Sequence, residues 1–328
     1  MTNHLPSTGT GNGDAALYGL DLFGNSAAPP SDSLLGAEFK VPPFSVLNAR
    51  DGWWQERKRA WLALGIRGEA GRRAAGQSSW NDLAIHRRRA ESTGKIANCG
   101  ETATVFDPVL CELVYSWFLP AGGQIIDPFA GGSVRGIVAH VLGYKYWGCD
   151  LRAEQIEENE TQALAIVHDK PPVWVCADAL EALPSAPQAD MIFSCPPYGD
   201  LERYSDDPRD LSAMTATEFD AAYSRIVALA CCRLKPDRFA AFLVGDYRGK
   251  DGHYQNLPAR TVEAFAAAGL ALYNEAILVL AVGSLPLRVR QYFKRGRKLG
   301  KAHQNLLIFV KGDWRKAVAA CNRTMEVP

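Results

Sequence analysis

Two short turns limit what this chain can fold into more than anything else in it: Asp127-Pro-Phe-Ala-Gly-Gly-Ser133 and Ser194-Cys-Pro-Pro-Tyr198. Each closes an apolar run that reads as a buried strand, Gln124–Asp127 before the first and Asp190–Ser194 before the second. In open parallel sheets, ligands collect where strands end at their carboxyl side. A glycine-rich turn on one strand end and a Pro-Pro-aromatic turn on another should therefore face one crevice.

From about residue 106 onward, strands and helices alternate as in βαβ units. The run before the second turn centres on Met191–Phe193, and the remaining strand candidates are Tyr144–Cys149, Val173–Cys176, Phe239–Gly245, Ala271–Leu280 and Asn305–Val310. Helices are expected near 133–142, 153–167 and 217–232, the last with Phe219, Tyr223, Ile226 and Ala230 on one face. No helical crossover pattern separates the last two strands, which suits antiparallel pairing. The expected fold class is α/β: a Rossmann-like, doubly wound, mostly parallel seven-stranded sheet with an antiparallel last strand, plus an N-terminal helical appendage.

Residues 1–40 are rich in Gly, Ser, Asn and Pro without periodicity and read as a disordered tail. Residues 41–97 form a basic, aromatic-rich appendage, and 98–328 the main domain. The appendage mixes Trp53, Trp54, Trp61 and Trp80 with Arg57-Lys58-Arg59, Arg72-Arg73 and Arg87-Arg88-Arg89. Trp54, Lys58 and Trp61 have helical spacing. Two readings stay open for it: a helical element packed on the core, or a DNA-contacting element.

The 328 residues carry formal net charge +0, so any nucleic-acid contact must come from local patches. No run of about 18 apolar residues suggests a membrane span, and Met1-Thr-Asn-His-Leu-Pro does not open a signal peptide. The eight cysteines form no C-x-x-C pair, which fits free thiols in a cytoplasmic protein. Composition leaves the oligomeric state open, a homodimer included, and no metal site is expected.

The first turn lacks both G-x-G-x-x-G and G-x-x-x-x-G-K, so it is not a pyrophosphate cradle. It begins instead with Asp127, whose carboxylate repels phosphate and attracts an ammonium. Two further acids follow strand ends, Asp150 after Tyr144–Cys149 and Asp178 after Val173–Cys176. Each taken alone could equally be a helix cap.

These motifs in this order resemble the S-adenosylmethionine-dependent DNA amino-methyltransferases of bacterial and phage modification systems, which act on adenine N6 or cytosine N4. The resemblance covers about residues 100–312 and ends in the strand His303-Gln-Asn-Leu-Leu-Ile-Phe-Val-Lys311. It implies S-adenosylmethionine as cofactor, held by the loop Asp127, Pro128, Phe129, Ala130, Gly131, Gly132 and Ser133. Asp150 would accept the ribose hydroxyls, Asp178 the adenine amine, and Asp107 in Phe106-Asp107-Pro108 would stand on the opposite wall. Catalysis would fall to Ser194, Cys195, Pro196, Pro197 and Tyr198. A rigid carbonyl ahead of proline would accept from the target amine while Tyr198 stacks on the extruded base.

The chain departs from that family in two places. Ser133 stands where the last loop glycine is usual, and Cys195 where Asp, Asn or Ser is usual. Ser194 could compensate, or the Cys195 carbonyl could act with less side-chain help. Two segments extend the expected site. Residues 199–212, with Asp200, Glu202, Tyr204, Asp206, Asp207 and Asp210, form either a lid or a solvated loop. Residues 283–303 hold Arg288, Arg290, Lys294, Arg295, Arg297, Lys298 and Lys301 and no acid, and read as a basic hairpin that binds nucleic acid. The expected substrate is duplex DNA with a flipped base. The alternatives are the same chemistry on RNA or on a protein glutamine, or a catalytically silent nucleic-acid-binding module.

Overall fold

Strands with consecutive apolar residues are buried on both faces, and the centre of this sheet is assembled from such runs, Ile125-Ile126, Met191-Ile-Phe193, Phe239–Val244 and Leu306–Val310. The computed structural model describes residues 39–67, 105–167, 169–199, 205, 207–249, 251–283 and 285–322. In chain order the elements are β1 (Val46–Asn48), α1 (Gly52–Leu62), α2 (Pro108–Phe118), β2 (Gln124–Asp127), α3 (Val134–Val141), β3 (Lys145–Asp150), α4 (Ala153–Ile166), β4 (Val173–Cys176) and α5 (Ala179–Ala182). They continue with β5 (Ala189–Ser194), α6 (Ala216–Arg233), β6 (Leu234–Val244), α7 (Leu257–Ala267), β7 (Leu270–Val279), α8 (Leu285–Gly296), β8 (His303–Lys311) and α9 (Trp314–Asn322).

The strand order is β1-β7-β8-β6-β5-β2-β3-β4. All pairings are parallel except those of β8, which runs against both β6 and β7. From β2 the chain moves outward through β3 to β4, then returns to β5 on the other side. The β2–β5 boundary is thus the topological switch point, where a doubly wound sheet opens a crevice. Alternate residues feed two cores. Ile125, Met191, Phe193, Phe239, Ala241 and Leu243 face a layer built by α1, α2, α3, α4 and α9. Ile126, Ile192, Ala240, Phe242 and Val244 face α5, α6 and α7.

The doubly wound α/β class and the antiparallel last strand stand as expected, with three corrections. The sheet has eight strands, because the appendage contributes β1 as an edge strand parallel to β7, with Val46 opposite Ile277. The appendage is therefore strand plus helix, not helix alone. The segment 283–303 is no β-hairpin: it contains helix α8, none of whose residues is buried. The expected α6 face is correct, with Phe219, Tyr223, Ile226 and Ala230 all buried. Residues 1–38, Arg72, Arg73, Trp80, Arg87, Arg88 and Arg89 lie outside the described residues, as do Asp200, Glu202, Tyr204 and Asp206 of the acidic segment.

What fastens α1 to the core is a buried charge cluster. The Glu112 side chain of α2 is fully buried and accepts from Lys40 Nζ (3.0 Å), Trp61 Nε1 (3.0 Å) and the Arg57 guanidinium. Burial pushes the Glu112 carboxyl up, but the Arg57 and Lys40 cations and the Trp61 N–H pull it net below the usual range. Arg57, a candidate for nucleic acid on sequence grounds, is committed to this structural pair. Among the described residues, no helix is long and apolar enough to cross a membrane.

Candidate active site

Both turns open into one cavity of about 480 Å³ at the switch point. Pro128, Phe129 and Gly131 line it from the turn after β2, and Cys195, Pro196, Pro197 and Tyr198 from the turn after β5. Asp150 enters from the end of β3, Asp178 from the turn after β4, and Asp107 from the start of α2. Its volume falls within the range of small-molecule and cofactor sites.

The β2 turn is held by hydrogen bonds to β3, α3 and α4. Gly131 has φ +49°, a left-handed conformation that glycine adopts without strain. Its N–H donates to Asp150 Oδ2 (3.0 Å) and its carbonyl accepts from Asn159 Nδ2 (2.7 Å). Asp150 also accepts from Arg152 N (2.9 Å). Burial raises the Asp150 carboxyl above its ordinary value, and the two backbone N–H groups with the Arg152 cation partly offset this. Asp178 accepts from Leu180 N (2.8 Å), so it caps α5 while it lines the cavity. The cap and the binding-site readings of this residue are compatible.

Asp127 is placed differently from the expectation. Its side chain is fully buried and does not line the cavity. The carboxylate accepts from Phe129 N (3.1 Å), Arg135 Nε (2.5 Å), Tyr146 Oη (2.7 Å) and Ser194 Oγ (2.5 Å). Arg135 is the reason. It sits in the first turn of α3, is itself buried, and also donates to the carbonyls of Phe129 (2.6 Å) and Ala130 (2.8 Å). A buried guanidinium demands a buried counter-charge, and Asp127 supplies it from beneath the loop. Ala130 and Ser133 are likewise buried, Ser133 Oγ donating to Gln162 Oε1 (3.1 Å), and with Gly132 they do not line the cavity.

The same network decides the role of Ser194. Its hydroxyl is committed to Asp127 and the residue is fully buried, so it does not stand in for the missing acceptor at Cys195. Cys195 Sγ lies 3.6 Å from the Tyr198 hydroxyl, which accepts from Gln304 Nε2 of β8. Tyr198 is therefore held from the last strand. Next to it, Gly199 has φ +53°, and a Cβ there would collide with the Tyr247 hydroxyl. Only glycine lets the turn leave the cavity along this path.

Several site residues carry little sequence signal. Arg135, Lys58 and Gln304 line the cavity, from α3, α1 and β8. Of these, only Lys58 had a usable cue, the shared helical face with Trp54 and Trp61. Trp54 Nε1 reaches both Asp107 oxygens at 3.1 Å and Lys58 Nζ reaches Asp107 Oδ2 at 3.0 Å. Asp107 also caps α2 through Val109 N (3.0 Å). The appendage thus forms part of the cavity wall.

The basic segment leaves the sheet on the edge where the cavity opens. Leu280, just past β7, lines the cavity, and Gln304 does so where β8 begins. Between them α8 exposes Leu287, Tyr292 and Phe293 among Arg288, Arg290, Lys294 and Arg295, with the Arg297 guanidinium 5.2 Å from the Phe293 ring. The loop after β6 adds Arg248, 4.0 Å over the Tyr254 ring, with Lys301 Nζ 5.8 Å from the same ring. Sequence reading missed Arg248 and Tyr254, because their pairing is made by a loop bridge.

Fold and cavity define a doubly wound α/β protein with a cavity at its switch point. No family model matches the chain, and no curated protein matches it. Similar solved structures include TrmN from Thermus thermophilus, with 18% identity and TM-score 0.43, covering 63% of this chain and 49% of that one. This chain thus spans about half the length of TrmN. Another is magnesium protoporphyrin IX methyltransferase from Synechocystis with bound SAM, with 15% identity and TM-score 0.41, covering 72% of this chain and 100% of that one. A TehB-like SAM-dependent methyltransferase from Corynebacterium glutamicum has 15% identity and TM-score 0.40, covering 70% of this chain and 99% of that one. At that depth of similarity, the fold class rests on the strand order and the chemistry on the cavity.

Proposed function

We propose that this protein transfers a methyl group from S-adenosylmethionine to an exocyclic amino group of a base, adenine N6 or cytosine N4, in DNA. One observation carries the reading: the Asp127–Ser133 turn and the Cys195–Tyr198 turn, remote in sequence, wall a single cavity. The donor set fits. Asp150 and Asp178 supply carboxylate acceptors at adjacent strand ends for ribose hydroxyls and an adenine amine, and Pro128, Phe129 and Gly131 supply backbone and apolar wall. When bound, the cofactor supplies an electrophilic methyl on a sulfonium.

The chain's own residues do the rest. An exocyclic amine is a poor nucleophile because its lone pair is delocalised into the ring. The Cys195 carbonyl, held extended by Pro196, accepts an amino hydrogen and favours the pyramidal nitrogen. Tyr198, fixed at its hydroxyl by Gln304, offers a face for the base once it has left its stack. Orientation of nitrogen against methyl supplies much of the acceleration, without a covalent intermediate. The exposed cations of α8 with Lys298 and Lys301 contact phosphates beside the opening. A cytoplasmic location goes with this reading.

Tritiated methyl from S-adenosylmethionine should appear in duplex DNA, and nucleoside digestion with mass spectrometry should identify N6-methyladenine or N4-methylcytosine. Tyr198→Ala should abolish transfer while cofactor binding persists. Label in structured RNA but not in DNA would move the substrate to RNA, and label in neither would overturn the reading.

A further inference from the structure

The donor in the reading above ends in an amino-acid head group, and its carboxylate requires a cation. With Asp127 buried under the loop, charge at that end of the cavity comes from elsewhere. Among the described residues four cations line the cavity, and each already serves a protein acceptor. Arg135 serves Asp127 and the carbonyls of Phe129 and Ala130. Arg152 donates to Gln155 Oε1 (2.9 Å), and Arg209 holds Asp207 through two nitrogens (3.1 and 2.8 Å).

Lys58 differs. Among the described residues its ammonium has one hydrogen-bond partner, Asp107 Oδ2 at 3.0 Å, out of three donors. Its side chain is only 26% exposed. The helix that carries it cannot drift, because Trp54 and Trp61, one turn before and after, bond Asp107 and Glu112. Position agrees with charge. The acids expected to hold the nucleoside stand at the ends of β3 and β4, on one side of the β2 turn. Lys58 and Asp107 stand on the other side, beside Phe106, which packs on Phe193 of β5 at 5.9 Å between ring centroids. Asp150, Gly131, Asp107 and Lys58 line one continuous cavity, so a ligand anchored at Asp150 and extended past Gly131 would run toward this pair.

The geometry points to Lys58 as the residue that binds the carboxylate of the donor's amino-acid moiety, so that the N-terminal appendage completes the cofactor site. Asp107 positions the ammonium of Lys58, whose side chain lines the cavity. This assignment rests on the S-adenosylmethionine reading, and the test separates the two.

Isothermal calorimetry on the full chain compares S-adenosylhomocysteine, which keeps the carboxylate, with 5′-methylthioadenosine, which lacks the whole head group. Lys58→Met should weaken S-adenosylhomocysteine at least about tenfold, the size of a hydrogen bond to a charged group. It should leave 5′-methylthioadenosine within about twofold. Lys58→Arg, which restores a cation, should recover most of the lost affinity. Retained binding of 5′-methylthioadenosine shows that Lys58→Met is folded around its nucleoside site. If both ligands weaken equally, or neither does, the Lys58 assignment is wrong while the cofactor reading survives. If the wild-type protein binds neither ligand, the cofactor reading fails and the assignment with it. Loss of DNA binding with unchanged S-adenosylhomocysteine affinity would reassign Lys58 to phosphate.

Discussion

Asp127→Asn separates two jobs a carboxylate can do at the mouth of such a turn. By charge pattern it should attract a ligand's ammonium; by structure it neutralises Arg135 from inside. The side chains of Arg135 and Asp127 are 5% and 0% exposed, with Nε and Oδ2 2.5 Å apart. Burial disfavours the Arg135 charge, and Asp127 more than compensates, holding its pKa up. Removing one member of a buried pair leaves an uncompensated charge and destabilises by about 3–5 kcal/mol. The asparagine NH2 would also replace one of the two accepting oxygens, setting donors against either Tyr146 and Arg135 or Ser194 and Phe129 N. With an unfolding entropy of about 2.1 cal/mol/K per residue over 328 residues, each kcal/mol shifts the midpoint by about 1.5 °C, so the melting temperature should fall by about 4–8 °C. Differential scanning calorimetry reads that fall, and S-adenosylhomocysteine titration well below the transition reads the site. The double variant Asp127→Leu with Arg135→Met should be less destabilised than the two single changes summed, since no lone charge remains buried. An Asp127→Asn protein that melts within about 2 °C of wild type yet no longer binds the cofactor product would refute the internal role.

Three further outcomes are expected. Gly199→Ala must place a side chain at φ +53° against Tyr247; left-handed backbone alone costs about 1–2 kcal/mol, so methyl-transfer kcat should fall sharply with a melting shift of only a few degrees. Glu112→Gln should lose about 3–5 kcal/mol at neutral pH by the same buried-pair argument. Because the folded Glu112 carboxyl lies below its ordinary value, its contribution is present above the usual glutamate range and disappears as pH falls through the lowered value. Melting curves of wild type and Glu112→Gln should therefore converge in acid, and curves that stay parallel would rule the ion pair out as the cause. Charge reversal at Arg295, Arg297 and Lys298 should weaken nucleic-acid binding and reduce the slope of log affinity against log salt by about 0.9 for each phosphate no longer neutralised; an unchanged slope removes the end of α8 and the residues after it from the interface.

Much of the sheet was legible because Gln124–Asp127, Phe239–Gly245 and Asn305–Val310 are apolar on both faces, a pattern only a covered strand satisfies. The site was legible as two turns, since strand ends in a doubly wound sheet converge whatever the side chains do. What could not be read was set by partners distant in the chain. Asp127 has the charge of a ligand-facing acid, and only the fold shows that Arg135 claims it. Three-residue β1 has too little pattern to register, and it pairs only because β7 leaves an edge open. Between β7 and β8, Gly283, Pro286, Gly296 and Gly300 break any strand, and Leu285, Val289, Tyr292 and Phe293 of α8 have the i, i+4, i+7, i+8 spacing of one helical face; the density of cations drew the reading to charge and away from this stripe. Lys58 had the spacing of a packed helix, but its place in the cavity wall follows from Asp107 and Glu112, which cap and line α2.

The edge position of β1 has a consequence for how this protein comes into being. Val46 leaves the ribosome early and its partner Ile277 late, and pairings so distant in the chain form slowly. Lys58 lies a few residues beyond Val46, so one wall of the pocket acquires its sheet anchor only after most of the polypeptide exists. Assembly order then acts as a safeguard: a nascent or truncated chain that lacks residues 270–279 has its glycine turn and its Pro-Pro-Tyr turn, yet lacks the strand that seats its own beginning.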